Sequence, residues 1–334
     1  MKSIRVNHPG GLENLVVAEH DIPQPKAGEV LVEWHATSLN YHDYLVAIGA
    51  IPVEENRIPM SDGAGEIVDV GEGVNKWKSG DKVMSLFFPD WHTGTPTLEN
   101  SRRISGESSD GFITEYSCVS AEALTSIPDG YSFGEAATLP CAALTAWRAL
   151  IVEGALKPGD KVLIEGTGGM SLFALQIAIA SGARVFATTS SPEKEQRLRS
   201  MGVEGVVNYQ QDPKWGKSIY TLSEGGVQHV LDVGGGSTMS QSIEAAAING
   251  KIYAIGILSG GRKGEITFPK IFFKHLTMTG LAVGSRTMQE DMVRALNLWD
   301  WNPQIDCSFG FDELADAFRY QESGQHVGKI ILEW

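Results

Sequence analysis

Cysteines are scarce in this chain, cations are outnumbered and long apolar runs are missing. Only Cys118, Cys141 and Cys307 occur among 334 residues, far apart and odd in number. They exclude a disulfide framework and a four-cysteine structural zinc site, and they predict a reducing compartment, the cytoplasm by default. Lys and Arg total 27 against 41 Asp and Glu, a formal net charge of −14. That balance argues against non-specific binding to nucleic acid or to an anionic membrane, while leaving room for a local basic pocket. No apolar stretch is long enough for a membrane span, so no membrane partner is expected. The opening residues, MKSIRVNHPGG, lack an apolar h-region and predict no secretory leader. What is present, 42% hydrophobic and 20% charged residues over 334 positions, predicts a soluble protein of two domains.

The most informative stretch is 161–191, KVLIEGTGGMSLFALQIAIASGARVFATTSS. It reads as strand, glycine turn, helix, strand. Gly166, Thr167, Gly168, Gly169 and Met170 form a turn whose backbone N–H groups, at a helix start, suit a pyrophosphate. The GxGxxG pattern asks for Gly or Ala at 171, where Ser171 stands. Alone, such glycines mark either an ordinary tight turn or a nucleotide site; the flanking strands and helix favour the nucleotide.

Residues 1–128 read as β-rich, with strands at 30–34, 65–70 and 82–88 and a loop entering a short helix at 39–49. The polar stretch 89–111 has no periodicity, and a loop of that length is either functional or mobile. Ser132 and Glu135 form a capping-box signature before a helix over 136–150, interrupted by Pro140. Strands at 161–165, 184–188, 205–208, 228–233, 251–256 and 276–282 then alternate with helices, including 192–201 and 238–248. That alternation predicts an α/β fold with a doubly wound parallel sheet. The sheet is complete by 282, so the tail, with helices at 289–299 and 311–322 and a strand at 329–333, is expected to return to the first domain. The expected division is 1–128 with 283–334, and 129–282.

At this point the residues carry a likeness. GEVLV (28–32), LNYHD (39–43), GAGEIVDVGEGV (63–74), GDKV (80–83), DGFITEY (110–116), LPCAALTAWRAL (139–150), GTGGMS (166–171), GKIYAIG (250–256) and HVGKIIL (326–332) follow one another in order. Together they resemble the medium-chain dehydrogenase/reductase superfamily over essentially the whole length. Within it, the chain is similar to the zinc-free quinone oxidoreductases and the zinc-type alcohol dehydrogenase-like proteins. The resemblance implies a β-rich GroES-like catalytic domain completed by the tail, a Rossmann domain, a cofactor in the cleft between them, and a homodimer. It also locates the departures. Asn40 stands where zinc-dependent members have their first cysteine ligand, and Met60-Ser61-Asp62 aligns with their Gly-His-Glu triplet. Only Cys141 survives, and it reads most simply as a small buried hydrophobe. One thiolate cannot hold a zinc that takes three protein ligands, and 89–111 has no cysteines for a structural zinc, so no zinc is expected.

The second strand of the Rossmann unit ends Ala187-Thr188-Thr189-Ser190-Ser191, without the acid that takes the ribose hydroxyls of NAD. This favours NADPH over NADH. Similar members use a serine and the lysine at position 194, which points to Ser190, Ser191 and Lys194, with Tyr209 beside the adenosine. The plainer reading is that a serine caps the next helix and that Lys194 and Arg197 are a solvated face. The resemblance further points to Thr145, Gly234, Gly256, Ile257, Leu258, Val283, Gly284 and Ser285 around the cofactor. It has Lys329 reaching the pyrophosphate, or else forming a surface salt bridge. Without a Lewis acid, hydride transfer to a quinone or an α,β-unsaturated carbonyl is easier than alcohol oxidation. Asn40 and Tyr41 are candidate donors to the substrate oxygen and His42 a candidate proton carrier, each with an ordinary loop hydrogen bond as the alternative. Asp43 is expected to hold the loop. Trp91 and His92 line either a substrate pocket or a mobile surface loop. Competing functions are an alcohol dehydrogenase and a non-catalytic, crystallin-like NADPH-binding protein.

Overall fold

The computed structural model describes residues 1–334. The chain opens with an antiparallel pair, β1 (Lys2–Val6) and β2 (Leu15–Glu19). β3 (Glu29–Ser38) follows and becomes the spine of the first unit, because Val30, Val32, Trp34 and Ala36 are all withdrawn from solvent. β4 (Ala64–Val70), β5 (Lys82–Ser85), β6 (Tyr116–Ser120) and β7 (Leu124–Ser126) complete its amino-terminal part. Then come β8 (Lys161–Glu165), β9 (Arg184–Thr189), β10 (Gly205–Asn208), β11 (Val227–Asp232), β12 (Ala246–Ala254) and β13 (Thr277–Gly280). The tail adds β14 (Ile305–Gly310) and β15 (Lys329–Glu333).

The strands form two main sheets. One runs β14-β15-β3-β4-β5-β7, with β6 also on β3, so the tail strands do join the first unit. The other runs β10-β9-β8-β11-β12-β13 and is parallel throughout. Strand order reverses between β8 and β11, the switch point outside which open α/β sheets bind ligands. Both faces of β8 are covered, and Val162, Leu163 and Ile164 have no exposure. The helix Gly169–Ala180 has apolar residues all round and buries Leu172, Phe173, Ala174, Leu175 and Ile177, as a helix laid on a sheet must.

The chain divides into 1–144 with 283–334, and 145–282. Residues 129–144, expected with the Rossmann unit, therefore pack with the first. Their helix Phe133–Ala137 carries the capping box, with Glu135 N–H donating to Ser132 Oγ at 3.2 Å. It lies so close to β15 that a Cβ on Gly134 would come within 2.7 Å of Ile331 Cδ1. The expected single helix over 136–150 is broken. Pro140 cannot donate, and wide π-type turns at Leu139–Ala143 and Arg148–Glu153 flank a short α-helical piece, Leu144–Trp147.

The stretch 89–111 is anchored near its start, while residues 93–99 are exposed. Trp91 is buried, its indole donates to Gly94 O at 3.0 Å, and Trp91 O and His92 O accept from Arg286 N (2.9 Å) and Thr287 N (3.1 Å).

Candidate functional site

In the second unit, the glycine turn presents an open helix start. Gly168 is the N-cap of Gly169–Ala180 and offers no side chain to its amides. A Cβ built on Gly166 (φ +75°) or Gly168 would meet nothing within 4 Å. The space over the turn is open and the first amides of the helix have no side-chain cap, which fits a pyrophosphate. Ser171, the departure from the glycine pattern, is buried and donates to Glu165 O at 2.7 Å, tying the helix to the end of β8.

Of the expected cofactor residues, Ser190 follows β9, Tyr209 follows β10, Gly234 follows β11, and Gly256, Ile257 and Leu258 follow β12, all at carboxyl ends of the strands. Thr167 is buried and Met170 is half-buried beside it. Ser190 is exposed after β9, while Ser191 caps the helix Pro192–Ser200, accepting from Lys194 N at 3.2 Å. The capping reading of Ser191 is therefore realised. Tyr209 N–H donates to Thr189 O at 3.0 Å, which brings the exposed Tyr209 alongside the end of β9. A cavity of about 400 Å³ lies at the ends of β11 and β12, lined in part by Gly235, Gly256, Ile257 and Arg262. Gly234 is packed below it, its carbonyl accepting from Ser259 Oγ at 2.7 Å, and Leu258 N–H donates to Val233 O at 2.9 Å. Thr145, the first residue of this unit, is buried.

In the first unit, a buried polar cluster joins Asn40, Ser61 and Asp62, which the resemblance aligns with zinc-ligand positions, to Lys329. Lys329 is 3% exposed, and its ammonium donates to Leu39 O and Asn40 Oδ1, both at 2.7 Å, and lies 3.7 Å from Asp62 Oδ2. Asn40 Nδ2 donates to Asp62 Oδ2 at 2.8 Å and to Ser61 Oγ at 3.2 Å. Ser38 Oγ donates to the same Asp62 oxygen at 2.8 Å. Asp43 closes the loop as expected, accepting from Asn40 N (3.0 Å) and Ser61 N (2.8 Å). Met60 makes this possible by adopting φ +77°, with its carbonyl accepting from Phe112 N at 2.9 Å. Burial pushes the Asp62 carboxyl up to about 6, against the pull of the Lys329 charge.

Two expectations change here. Lys329 does not reach for a pyrophosphate or the surface; its charge is consumed inside the first unit, because Asp62 would otherwise be a buried carboxylate without a counter-charge. Asn40 has both amide hydrogens committed, which leaves it no hydrogen for a substrate oxygen. Tyr41, 37% exposed, keeps an accessible side chain. Val283 (φ +44°) and Gly284 begin the tail, and Ser285 caps the helix Arg286–Leu296, accepting from Met288 N at 3.4 Å.

His42 pairs with a residue not foreseen from the sequence. Its Nε2 lies 2.7 Å from Glu107 Oε2, and Nδ1 is 3.6 Å from Asp43 Oδ1, too far for a hydrogen bond. Burial alone would lower its pKa; the two carboxylates outweigh it and hold the imidazole up at about 9. The ring packs edge-on against Phe87 at 5.3 Å. No sequence pattern joins residues 42 and 107, which only the fold of 89–111 brings together.

The cluster does not suit zinc. Asn40 and Ser61 are neutral and mutually bonded, an ammonium already occupies the charge, and burial drives the Cys141 thiol further from the thiolate that metals bind. No group of three or more His, Cys, Asp or Glu converges elsewhere.

Comparison with known proteins places the chain. The alcohol dehydrogenase GroES-like domain model matches residues 26–129, and the zinc-binding dehydrogenase model matches 169–299. A zinc-type alcohol dehydrogenase-like protein of Schizosaccharomyces pombe is 40% identical, over 97% of this chain and 96% of the relative. Acryloyl-coenzyme A reductase of Metallosphaera sedula is 27% identical, over 99% of each. The crystal structure of a putative alcohol dehydrogenase from Sinorhizobium meliloti 1021 superimposes with a TM-score of 0.92 at 33% identity, over 100% of this chain and 98% of that one. With the parallel sheet, the open glycine turn and the β-rich first unit in place, this chain belongs to the medium-chain dehydrogenase/reductase superfamily, as an oxidoreductase of that family.

Proposed function

We propose that the protein is an NADPH-dependent reductase of conjugated carbonyl compounds, enones or quinones, that works without a metal. The observation that carries this reading is the Lys329–Asn40–Asp62 network filling the zinc positions. When bound, the dinucleotide supplies the hydride. The residues of the chain bind and orient it and manage the proton. Gly166, Thr167, Gly168, Gly169 and Met170 take the pyrophosphate. Ser190, Ser191, Lys194 and Tyr209 take the adenosine end, where the missing carboxylate and a nearby cation favour a 2′-phosphate. Thr145, Gly234, Gly256, Ile257, Leu258, Val283, Gly284 and Ser285 complete the cofactor's surroundings. In the first unit, Asn40 orients the loop and Tyr41 is the donor to the acceptor oxygen. His42, protonated at neutral pH and held by Glu107, is the proton reservoir. The acryloyl-coenzyme A reductase relative also reduces a conjugated acyl group, by its name, and so adds enoyl thioesters to the substrates worth testing.

A homodimer in the cytoplasm is part of this proposal. Phe268, Phe272 and Phe273 are 70%, 57% and 74% exposed beside β13, an unpaired sheet edge, and a second copy would cover both.

Cofactor consumption tests the function. Purified protein should oxidise NADPH faster than NADH with quinones, enones or an enoyl thioester, and a strong chelator should not slow it. Chelator-sensitive alcohol oxidation with stoichiometric metal would establish an alcohol dehydrogenase instead. Tight dinucleotide binding without turnover would establish a binding protein.

A further inference from the structure

Glu165 ends β8, directly before the glycine turn, and Asp232 ends the neighbouring β11; both are buried. The Ser242 hydroxyl lies between them, 2.8 Å from Glu165 Oε1 and 2.6 Å from Asp232 Oδ2. A serine hydroxyl has one hydrogen to donate. Two ionised carboxylates cannot both accept it, so one of them carries a proton and donates to Oγ. Asp232 Oδ1 already accepts from Gly235 N and Thr238 Oγ1, both at 2.8 Å. Glu165 Oε1 touches only Ser242, and its Oε2 takes the longer bonds from Val233 N (3.2 Å) and Gly234 N (3.3 Å). Hydrogen-bond counting therefore puts the proton on Glu165 Oε1, with Ser242 passing its own hydrogen to Asp232.

The surroundings supply no counter-charge. β9 presents Thr188 opposite Glu165, the helix Gly169–Ala180 presents Ser171, the helix Met239–Ala245 presents Ser242, and β11 presents Asp232. No Lys, Arg or His pairs with either carboxylate. Burial first, and then the Asp232 charge, push the Glu165 carboxyl up to about 8.

We propose that Glu165, as the neutral acid, is a positioning residue for dinucleotide binding that anchors the 233–238 turn and keeps negative charge from the strand end that leads into the glycine turn. This rests on the dinucleotide reading given above. The anchored turn contributes Gly235 and Gly236 to the cavity, and Gly236 N–H is locked to Gly261 O at 2.7 Å. Ionising Glu165 leaves two anions sharing one hydroxyl hydrogen and puts a negative charge at the end of β8, the strand that leads into the turn that would hold the pyrophosphate. Both effects weaken binding as the pH rises.

The test is dinucleotide affinity against pH, for NADPH and for NADH, in wild type and Glu165→Gln. Wild-type affinity should fall roughly tenfold per pH unit above about pH 8, because binding then requires a proton to be taken up. The Gln side chain can donate to Ser242 and cannot ionise, so its affinity should not change across the same range. A flat wild-type profile, or the same slope in Glu165→Gln, overturns the proposal. If neither dinucleotide binds at about pH 6.5, the dinucleotide reading fails, and with it the proposed role in binding. The proton itself is read independently in the apo protein, by carboxyl 13C resonances assigned to Glu165 through the Gln variant. A carboxyl that titrates near the ordinary value of about 4.3 would refute the shared proton.

Discussion

Lys329 and Asp62 show how much one buried charge can decide. The sequence placed Lys329 in a motif and suggested a phosphate; its neighbours assign it to the loop that bears Asn40. Removing it in Lys329→Met leaves a carboxylate buried without a counter-charge, which costs on the order of 3–5 kcal/mol. Urea unfolding should show that loss, and adding Asp62→Asn should recover part of it, since the two sites share one interaction. A surface salt bridge would give about 1 kcal/mol or less and no recovery. His42 is the second case. Its folded pKa, about 9, exceeds the unfolded 6.5. Its stabilisation is therefore fully present below pH 6.5 and is lost as the pH rises through 9. The stability gap between wild type and His42→Gln should be on the order of 3 kcal/mol at pH 6 and should close by about pH 10. A gap that persists at high pH would mean that packing on Phe87, not charge, holds the ring.

At the scale of elements, the glycine turn and its helix are the part most legible in sequence. Strands buried on both faces become apolar runs, and KVLIE, RVFATT and VQHVLD lie where composition put them. The turn adds a prediction. Gly168 has φ −72°, so Gly168→Ala fits the backbone, and its methyl would enter open space. Thermal stability should stay within about 0.5 kcal/mol of wild type. Dinucleotide affinity should drop at least about tenfold, because the methyl stands where a phosphate oxygen approaches. Unchanged affinity would remove the turn from the binding site. Other elements were less legible. Pro140 announces an interruption, but not that wide helical turns would absorb it or that 129–144 would side with the first unit. Gly134 against Ile331 settles that, a contact across two hundred residues of chain.

For the whole molecule, the exposed phenylalanines beside β13 predict self-association. Wild type should sediment at twice 36.1 kDa, and Phe272→Glu with Phe273→Glu should sediment as the monomer. A monomeric wild type would refute the homodimer. By itself, the sequence determined the alternation of strands and helices, the parallel sheet, the return of the tail and the glycine turn. The alternation, the sheet and the turn are written in local periodicity or in the conformational needs of single residues, which neighbours along the chain suffice to express; the return of the tail followed from the sheet being complete by 282, not from any pattern in the tail itself. The tertiary structure alone decided that Lys329 neutralises Asp62, that His42 meets Glu107, and that Glu165 and Asp232 converge on the Ser242 hydroxyl. These pairs join residues far apart in the chain. Burial, which sets the cost of each charge and so its protonation, exists only once the chain has folded.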